Sequence, residues 1–249
     1  MLRALSGKRV ALIGLSEDAD QICNALEQVG ARARLFESGQ SPDAEAVSIC
    51  HLVFVHVRPG ATNCKWLGAD FPATPPLPTI FFGAPEDLVS LELGILARAC
   101  GLVTEGCLPG EVLMRFRLAI SQGPPVTSRA AAAEGAEVVI SISDESSRSL
   151  LRGRLEEHGL RWRLASNGPE TILLLRHLRA PVAVVDVDMD GFETLAAIHA
   201  ESMPVRTMFL TFSQQEDMIL RGFSLGAEDY LVQPFSPVEL AARLKRLLV

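Results

Sequence analysis

Short apolar runs alternate with helix-forming segments along this chain, and the same order occurs twice. Strands that alternate with helices form parallel sheets with right-handed crossovers, because each connection must cross a face of the sheet. Continuous rather than alternating apolar runs are typical of strands buried on both faces. The sequence therefore predicts an α/β protein with two doubly wound, five-stranded parallel sheets in tandem. The clearest strands of the second copy are residues 137–142, 160–165, 181–186, 205–212 and 229–233. Predicted helices include residues 86–100 in the first copy and 146–158 in the second.

Domain boundaries follow from this repeat. We predict a first domain at residues 1–121, a linker at residues 122–136 and a second domain at residues 137–249. The linker begins with turn-forming residues and has little apolar surface to bury. Within the first domain, residues 58–77 contain four prolines and are predicted to be irregular.

Composition excludes several classes of protein. The chain is 48% hydrophobic and 21% charged, which is enough to build two cores and too apolar for a disordered chain. Its formal charge of -7 and the lack of a basic stripe argue against nucleic acid as the main partner. No apolar run approaches the length of a membrane span. Five cysteines without a C-x-x-C motif indicate free thiols and a cytoplasmic protein.

The strand that ends at Asp186 draws attention to one edge of the second sheet. Open α/β sheets place their chemistry at the carboxyl ends of the central strands, and Asp186 stands at such an end. Asp188 and Asp190 follow in a short loop, where acidic residues most often serve turns. Asp186 is therefore the first candidate for a functional residue.

The second copy resembles the receiver domain of bacterial two-component response regulators. The most specific part is GAEDYLVQPFSPVEL at residues 226–240, which is similar to the family pattern GADDYLxKPFxxxEL. Leu210-Thr211 and the sequence DGFE at residues 190–193 add to the resemblance. This implies a flavodoxin-like (CheY-like) fold for residues 137–249. The first copy resembles the family only in the order of its elements.

The resemblance assigns roles to several residues. Asp186 falls on the phospho-acceptor, Thr211 on the hydroxyl that binds the phosphoryl group, and Tyr230 on the aromatic switch residue. Gln233 stands where the family has a lysine, and an amide cannot supply the positive charge.

The acidic pair that holds Mg²⁺ in the family is also altered. Ile142 and Ser143 fall on the pair, which leaves Asp144 one residue late. Asp144 and Asp186 are the candidate metal ligands, and we expect no cofactor or at most weak Mg²⁺ binding, because this ion requires several fixed oxygen ligands.

In the first copy the corresponding positions have lost the family residues altogether. The acceptor, hydroxyl and lysine positions hold His56, Gly83 and Glu105, and Gly14 and Leu15 replace the acidic pair. A carboxylate in place of a cation repels phosphate, so this domain is not expected to accept a phosphoryl group.

The sequence therefore predicts a non-catalytic signalling adaptor built from two degenerate receiver domains. Its partners would be a histidine kinase, a phosphotransfer protein or another regulator. No helix-turn-helix or cyclase motif appears after the second copy, so the chain is expected to act through such a partner or as part of a larger protein. The alternative is a phospho-accepting regulator that uses Asp186 with weak Mg²⁺ binding.

A homodimer is also predicted, because the last helix, strand and helix keep the residues of a face that pairs chains in many receivers. The candidate residues of this face are Arg221, Asp229 and Arg243, with a contact between Asp229 and Arg243 within or between chains.

Two other classes of protein fit the sequence less well. A dinucleotide-binding domain lacks its glycine-rich turn, since residues 14–19 hold one glycine and two acids, and Glu37 ends the second strand. An enzyme would need a nucleophile and base pair, and the sequence offers none.

Overall fold

The structure, a computed structural model, describes residues 5–15, 19–36, 44–58, 77–123, 137–151, 153–213 and 215–249. Most of the predicted linker, most of the proline-rich stretch, Glu37 and Cys64 lie outside the described residues. The chain divides into two compact units, residues 1–129 and 130–249, and each is described by itself.

The first unit is built on a parallel sheet of five strands in the order β2-β1-β3-β4-β5. An order that reverses beside the first strand places helices on both faces, as in flavodoxin-like folds. The strands are β1 (Arg9–Ile13), β2 (Arg32–Phe36), β3 (Leu52–His56), β4 (Thr79–Gly83) and β5 (Ala99–Thr104). The helices are α1 (Ala19–Gln28), α2 (Ala44–Ser48), α3 (Pro85–Val89), α4 (Leu93–Leu96) and α5 (Pro109–Gln122).

The second unit repeats this topology with the order β10-β9-β8-β6-β7. Its strands are β6 (Glu137–Ser141), β7 (Arg161–Ala165), β8 (Val182–Asp186), β9 (Arg206–Thr211) and β10 (Asp229–Val232). Its helices are α6 (Glu145–Leu151), α7 (Arg154–Glu157), α8 (Gly168–Leu178), α9 (Gly191–Ala200), α10 (Glu216–Ser224) and α11 (Pro237–Leu248). The predicted fold class, two doubly wound five-stranded parallel sheets of flavodoxin-like topology, is confirmed.

Two predicted helices differ from the structure. The helix expected at residues 146–158 is divided into α6 and α7, because Gly153 adopts a left-handed backbone (φ 78) that an α-helix cannot continue through. The helix expected at residues 86–100 is divided into α3 and α4. Ser90 follows α3, and its hydroxyl donates to the Glu86 carbonyl, a side-chain bond that competes with the helical ladder. Gln122, assigned to the linker, ends α5 instead.

Aromatic clusters form part of each core. In the first unit Phe54 contacts Phe82 and Phe116, with ring centroids 5.4 and 5.0 Å away. In the second unit the ring of Phe209 lies 5.9 Å from Tyr230 and 6.0 Å from Phe223. None of the helices in the described ranges is long and apolar enough to cross a membrane.

Packing of α10 against β9 depends on a residue without a side chain. A Cβ atom added at Gly222 would lie 2.2 Å from Cε1 of Phe209, far inside van der Waals contact. We therefore expect Gly222→Ala to lower the free energy of unfolding by about 1–3 kcal/mol, because the aromatic cluster must shift. Urea denaturation followed by circular dichroism measures this.

The matched control is Gly110→Ala in α5, where a Cβ meets nothing within 4 Å. This change should leave stability unaltered or raise it by up to about 1 kcal/mol, since alanine is the better helix former. A Gly222→Ala variant as stable as the parent would contradict the close packing of α10 on Phe209.

Candidate functional site at the carboxyl edge of the second sheet

The carboxyl edge of the second sheet brings together the residues that the sequence singled out. Asp186 ends the central strand β8 and is fully buried. Thr211 ends the neighbouring strand β9, and Gln233 follows β10. Ser143 lies two residues past the end of β6, on the other side of β8. Parallel strands end at one edge, which is why residues far apart in sequence meet here.

Asp186 accepts hydrogen bonds on both carboxylate oxygens. The backbone N–H and hydroxyl of Ser143 donate to Oδ2 at 2.9 and 2.7 Å, and Nε2 of Gln233 lies 3.4 Å from the same oxygen. The N–H of Asp188 donates to Oδ1 at 3.1 Å. The carboxylate thus joins the segments that follow β6, β8 and β10. Every one of these donors is electrically neutral.

No cation offsets this charge among the residues that the structure describes. The ion pairs of the second unit include Arg148, Arg163 and Arg243 but not Asp186. Gln233 is 4% exposed and, within the described ranges, its Oε1 has no hydrogen-bond partner. The amide therefore gives Asp186 one long hydrogen bond and no charge.

Asp144 does not join Asp186. Its Oδ2 accepts from both the N–H and the hydroxyl of Ser147, each at 2.7 Å, so it caps the first turn of α6. These bonds, the hydroxyl's first and the backbone's second, lower the pKa of Asp144. The two candidate metal ligands are thus engaged separately. Across the described ranges, no group of three or more His, Cys, Asp or Glu side chains is placed to hold a metal ion. The residues present do not fit the Mg²⁺ site that the receiver resemblance implies.

Thr211 and Tyr230, the two switch candidates, have local structural partners. Oγ1 of Thr211 accepts from the N–H of Ser213 at 3.0 Å and so closes the turn after β9. Tyr230 is fully buried and stacks on Phe209 with an interplanar angle of 24°. The geometry places Thr211 at the edge and the Tyr230 ring inside the core.

Two residues of the predicted dimer face, Asp229 and Arg243, are buried within the second unit. Asp229 and Arg243 are 2% and 0% exposed, and Nη1 of Arg243 lies 3.4 Å from both carboxylate oxygens of Asp229 within the same chain. Nη2 of Arg246 reaches Asp229 Oδ2 at 3.1 Å. The guanidinium of Arg221 lies 4.2 Å from the centroid of the Phe192 ring. The predicted contact between Asp229 and Arg243 is therefore present within the chain, where the two buried charges pair with one another. The homodimer itself stays a prediction.

The carboxyl edge of the first unit is arranged differently. Nε2 of His56 lies 3.3 Å from Oε1 of Glu105, so an imidazole and a carboxylate meet across the end of β4. A Cβ added at Gly83 would lie 2.7 Å from the carbonyl oxygen of Val57. Nη2 of Arg58 donates to the Gly14 carbonyl at 3.0 Å. The chain after β3 therefore occupies the space where a hydroxyl side chain at position 83 would stand.

Sequence reasoning missed two residues at the edge of the second unit. From the sequence, Ser143 was interpreted only as a replacement for one of the acidic residues that hold Mg²⁺. Its N–H and hydroxyl in fact donate the two shortest hydrogen bonds that Asp186 accepts. Nε of Arg148 donates to the Ile142 carbonyl at 2.7 Å, and its Nη2 lies 4.0 Å from Sδ of Met189. Arg148 therefore links the loops after β6 and β8. The sequence does show an arginine in the first helix after β6, and this was the signal from which its role at the edge could have been predicted.

Comparison with known proteins finds a family match for the second unit. Residues 139–245 match the family model of the response regulator receiver domain. Residues 139–245 of the second unit are therefore similar to a response regulator receiver domain, and this match covers less than half of the chain.

Individual relatives match the same part of the chain. The transcriptional regulatory protein GltR of Pseudomonas aeruginosa is 37% identical over 123 residues, which cover 47% of this chain and 50% of GltR. The transcriptional regulatory protein YvrH of Bacillus subtilis is 33% identical over 116 residues, 45% of this chain and 48% of YvrH. The solved chemotaxis response regulator CheY4 of Vibrio cholerae is 27% identical with a TM-score of 0.42, covering 45% of this chain and 98% of CheY4. The chain spans about half the length of the curated relatives it matches.

The cap at Asp144 makes α6 sensitive to acid. Because its pKa is lowered on folding, the carboxylate stabilises the protein above its unfolded pKa of about 4, and this contribution is lost as pH falls through the lower folded value. NMR titration of the Asp144 carboxyl carbon should show the depressed pKa. Ser147→Ala removes the hydroxyl donor and should raise that pKa toward its usual value. An unchanged titration in Ser147→Ala would contradict the cap.

The buried pair of Asp229 and Arg243 should contribute strongly to folding. Arg243→Met removes the guanidinium that lies 3.4 Å from Asp229 and 2.7 Å from Glu239, and we expect the free energy of unfolding to fall by about 3 kcal/mol because the buried carboxylate of Asp229 loses a charged partner. The control is Arg154→Met, which removes an exposed pair with Glu157 and should cost less than about 1 kcal/mol. Equal effects of the two changes in urea denaturation would show that the burial of the pair has no energetic consequence.

Proposed function

We propose that this chain is a non-catalytic signalling adaptor of two-component type, whose two receiver-like units act through protein contacts without accepting a phosphoryl group. The partners would be a histidine kinase, a phosphotransfer protein or another regulator. The receiver family of the second unit supports the signalling context. The site geometry supports the absence of phosphoryl chemistry.

The observation that carries the proposal is the state of the Asp186 carboxylate. A phospho-acceptor must direct an oxygen lone pair at phosphorus, and the transferred group needs cations to neutralise its charge. Oδ2 of Asp186 instead accepts from Ser143 twice and faces Gln233. An attack by this oxygen would cost those hydrogen bonds, and no charged group of the described residues stands by to offset the phosphate.

Mg²⁺ is not part of the proposed function. Asp144, the one carboxylate beside the missing acidic pair, is held by Ser147 rather than turned toward Asp186. A single carboxylate that is already hydrogen-bonded is a poor ligand set for an ion that requires octahedral oxygen coordination.

The first unit supports the same conclusion independently. His56 and Glu105 pair with one another at the carboxyl edge, and Glu105 would repel an incoming phosphate. The pKa of Asp87 in α3 is raised first by its burial and then by the negative charges of Glu105 and Glu86, so further negative charge at this edge would be unfavourable.

Direct DNA binding is outside the proposal. GltR and YvrH are transcriptional regulators by name, but the match covers about half of each of them. The chain carries a net charge of -7, which opposes contact with a polyanion. Transcriptional output, in our proposal, is reached through a protein partner.

A phosphoryl donor provides the direct test. Incubation of the full chain with acetyl phosphate and Mg²⁺, followed by intact-mass spectrometry, should leave the protein unmodified. A phosphoryl adduct that is absent from Asp186→Asn would overturn the proposal in favour of the phospho-accepting alternative.

A gain-of-function variant tests the chemical reason. The double change Ser143→Asp with Gln233→Lys restores an acid and a cation beside Asp186, and we expect this variant to acquire the phosphoryl mass. The matched control, Ser149→Asp with Gln215→Lys, adds the same charges at exposed positions in α6 and before α10. If the two double variants behave alike, the missing charges at positions 143 and 233 are not the reason for inertness.

A further inference from the structure

Basic side chains meet on one face of the first unit although they are scattered in sequence. Arg9 lies opposite Arg32 in the β1–β2 register, and Arg34 lies opposite Ala11 on the same face of the sheet. His51 adjoins Arg9 on the other side, where the Arg9 N–H lies 3.2 Å from its Nδ1. Lys8 precedes β1, and its carbonyl accepts from Arg32 N at 2.8 Å. The name basic face is used here for Arg9, Arg32, Arg34 and His51, which share this face of the sheet, together with Lys8 at its margin.

The charges of the basic face are not compensated within the described residues. Arg9, Arg32 and Arg34 are exposed, and none of the four lysine and arginine side chains forms an ion pair with a described carboxylate. Nε of Arg9 donates to the Ile49 carbonyl at 2.7 Å, a bond that positions the charge without neutralising it. Like charges opposite one another across a strand pair are destabilising. A folded protein that keeps them has a surface suited to an anionic partner.

The pKa of His51 also depends on the positive charges of this face. Its pKa is lowered by partial burial first and then by the positive charges of Lys8 and Arg9. Burial raises the pKa of the Cys50 thiol, and the positive charges of Arg34 and Arg9 oppose this rise. Arg9 and Arg34 thus reach a common region of the face.

This face adjoins a free edge of the sheet. β2 is the terminal strand in the order β2-β1-β3-β4-β5, with no further strand paired to it among the described residues. The N–H of Arg32 bonds to Lys8 O and the carbonyl of Phe36 accepts from Gly14, so the intervening bonds to β1 alternate along the strand. The backbone groups of Ala33 and Leu35 therefore point outward. The side chain of Leu35 is 55% exposed beside them.

We propose that the basic face and the edge of β2 bind an acidic, extended segment of a partner protein by β-strand addition. The outward N–H and C=O groups of Ala33 and Leu35 would bond to the added backbone, while Arg32 and Arg34 meet carboxylates at alternate positions. Leu35 offers apolar contact on the opposite face. A nucleic acid fits less well, because phosphates use the charges but cannot pair with a strand edge.

The probe is a fluorescent peptide of alternating Glu and Val, compared with the same peptide carrying Lys in place of Glu. Fluorescence anisotropy with the full chain at low ionic strength should show binding of the acidic peptide alone. Neutralising Arg32→Gln with Arg34→Gln should weaken this binding by about tenfold or more, since two charge-assisted contacts are lost.

The second unit offers a matched control for total charge. Its edge strand β7 carries Arg161 and Arg163 at the same spacing, but both already pair with Glu137 at 3.2 and 3.0 Å. Arg161→Gln with Arg163→Gln should change peptide affinity less than about twofold. Equal losses in the two double variants would show non-specific attraction and overturn the proposal.

Strand addition is tested separately from charge. Ala33→Pro removes an outward N–H at an edge position that tolerates proline, and it should weaken peptide binding without altering net charge. Added peptide should also slow hydrogen exchange of the Ala33 and Leu35 amides, a readout that does not depend on any variant. Peptide bound without this protection, or duplex DNA bound more tightly than the peptide, would overturn the proposal. Neither result bears on the phosphoryl-donor test, which concerns Asp186.

Discussion

A buried carboxylate with neutral partners holds the carboxyl edge of the second sheet together. Asp186 is fully buried, and its oxygens accept from Ser143, Asp188 and Gln233, which follow three different strands. A buried charge must be hydrogen-bonded, and once its lone pairs are used it becomes part of the architecture. The contacts that keep these strand ends in register occupy lone pairs of Oδ2 that a nucleophilic attack would require, and this is the basis of the proposed inertness toward phosphoryl donors.

The two units reach a similar outcome by different substitutions. In the second, Gln233 removes a cation and leaves a hydrogen-bonded carboxylate. In the first, His56 and Glu105 exchange the signs, so the base lies on β3 and the acid after β5. In each unit the carboxylate at this edge therefore lies within hydrogen-bond distance of a partner from the same unit. A fold that keeps its topology while its edge residues change shows that function resides in the site and not in the sheet.

Much of the architecture follows from local patterns, and the rest depends on contacts that sequence does not encode nearby. Apolar runs located the strands that are buried on both faces, such as β6 and β8, whereas the partly exposed edge strands β2 and β7 carry arginines between their apolar residues. The break at Gly153 required a backbone angle, since glycine is also tolerated within helices. Asp186 could be placed at the edge from its position alone. The register between strands that are distant in sequence decides the rest. It places Ser143 rather than Asp144 against Asp186, and Arg9 beside Arg32.

The backbone beside Gly83 limits which residues the first unit can carry at its carboxyl edge. The Val57 carbonyl fills the place where any side chain at position 83 would begin. Restoring acidic and basic residues around this edge would still leave a hydroxyl group without room, and the main chain would first have to move. The limit is set by the backbone, so no set of side-chain substitutions that leaves the main chain in place can add a hydroxyl group at position 83.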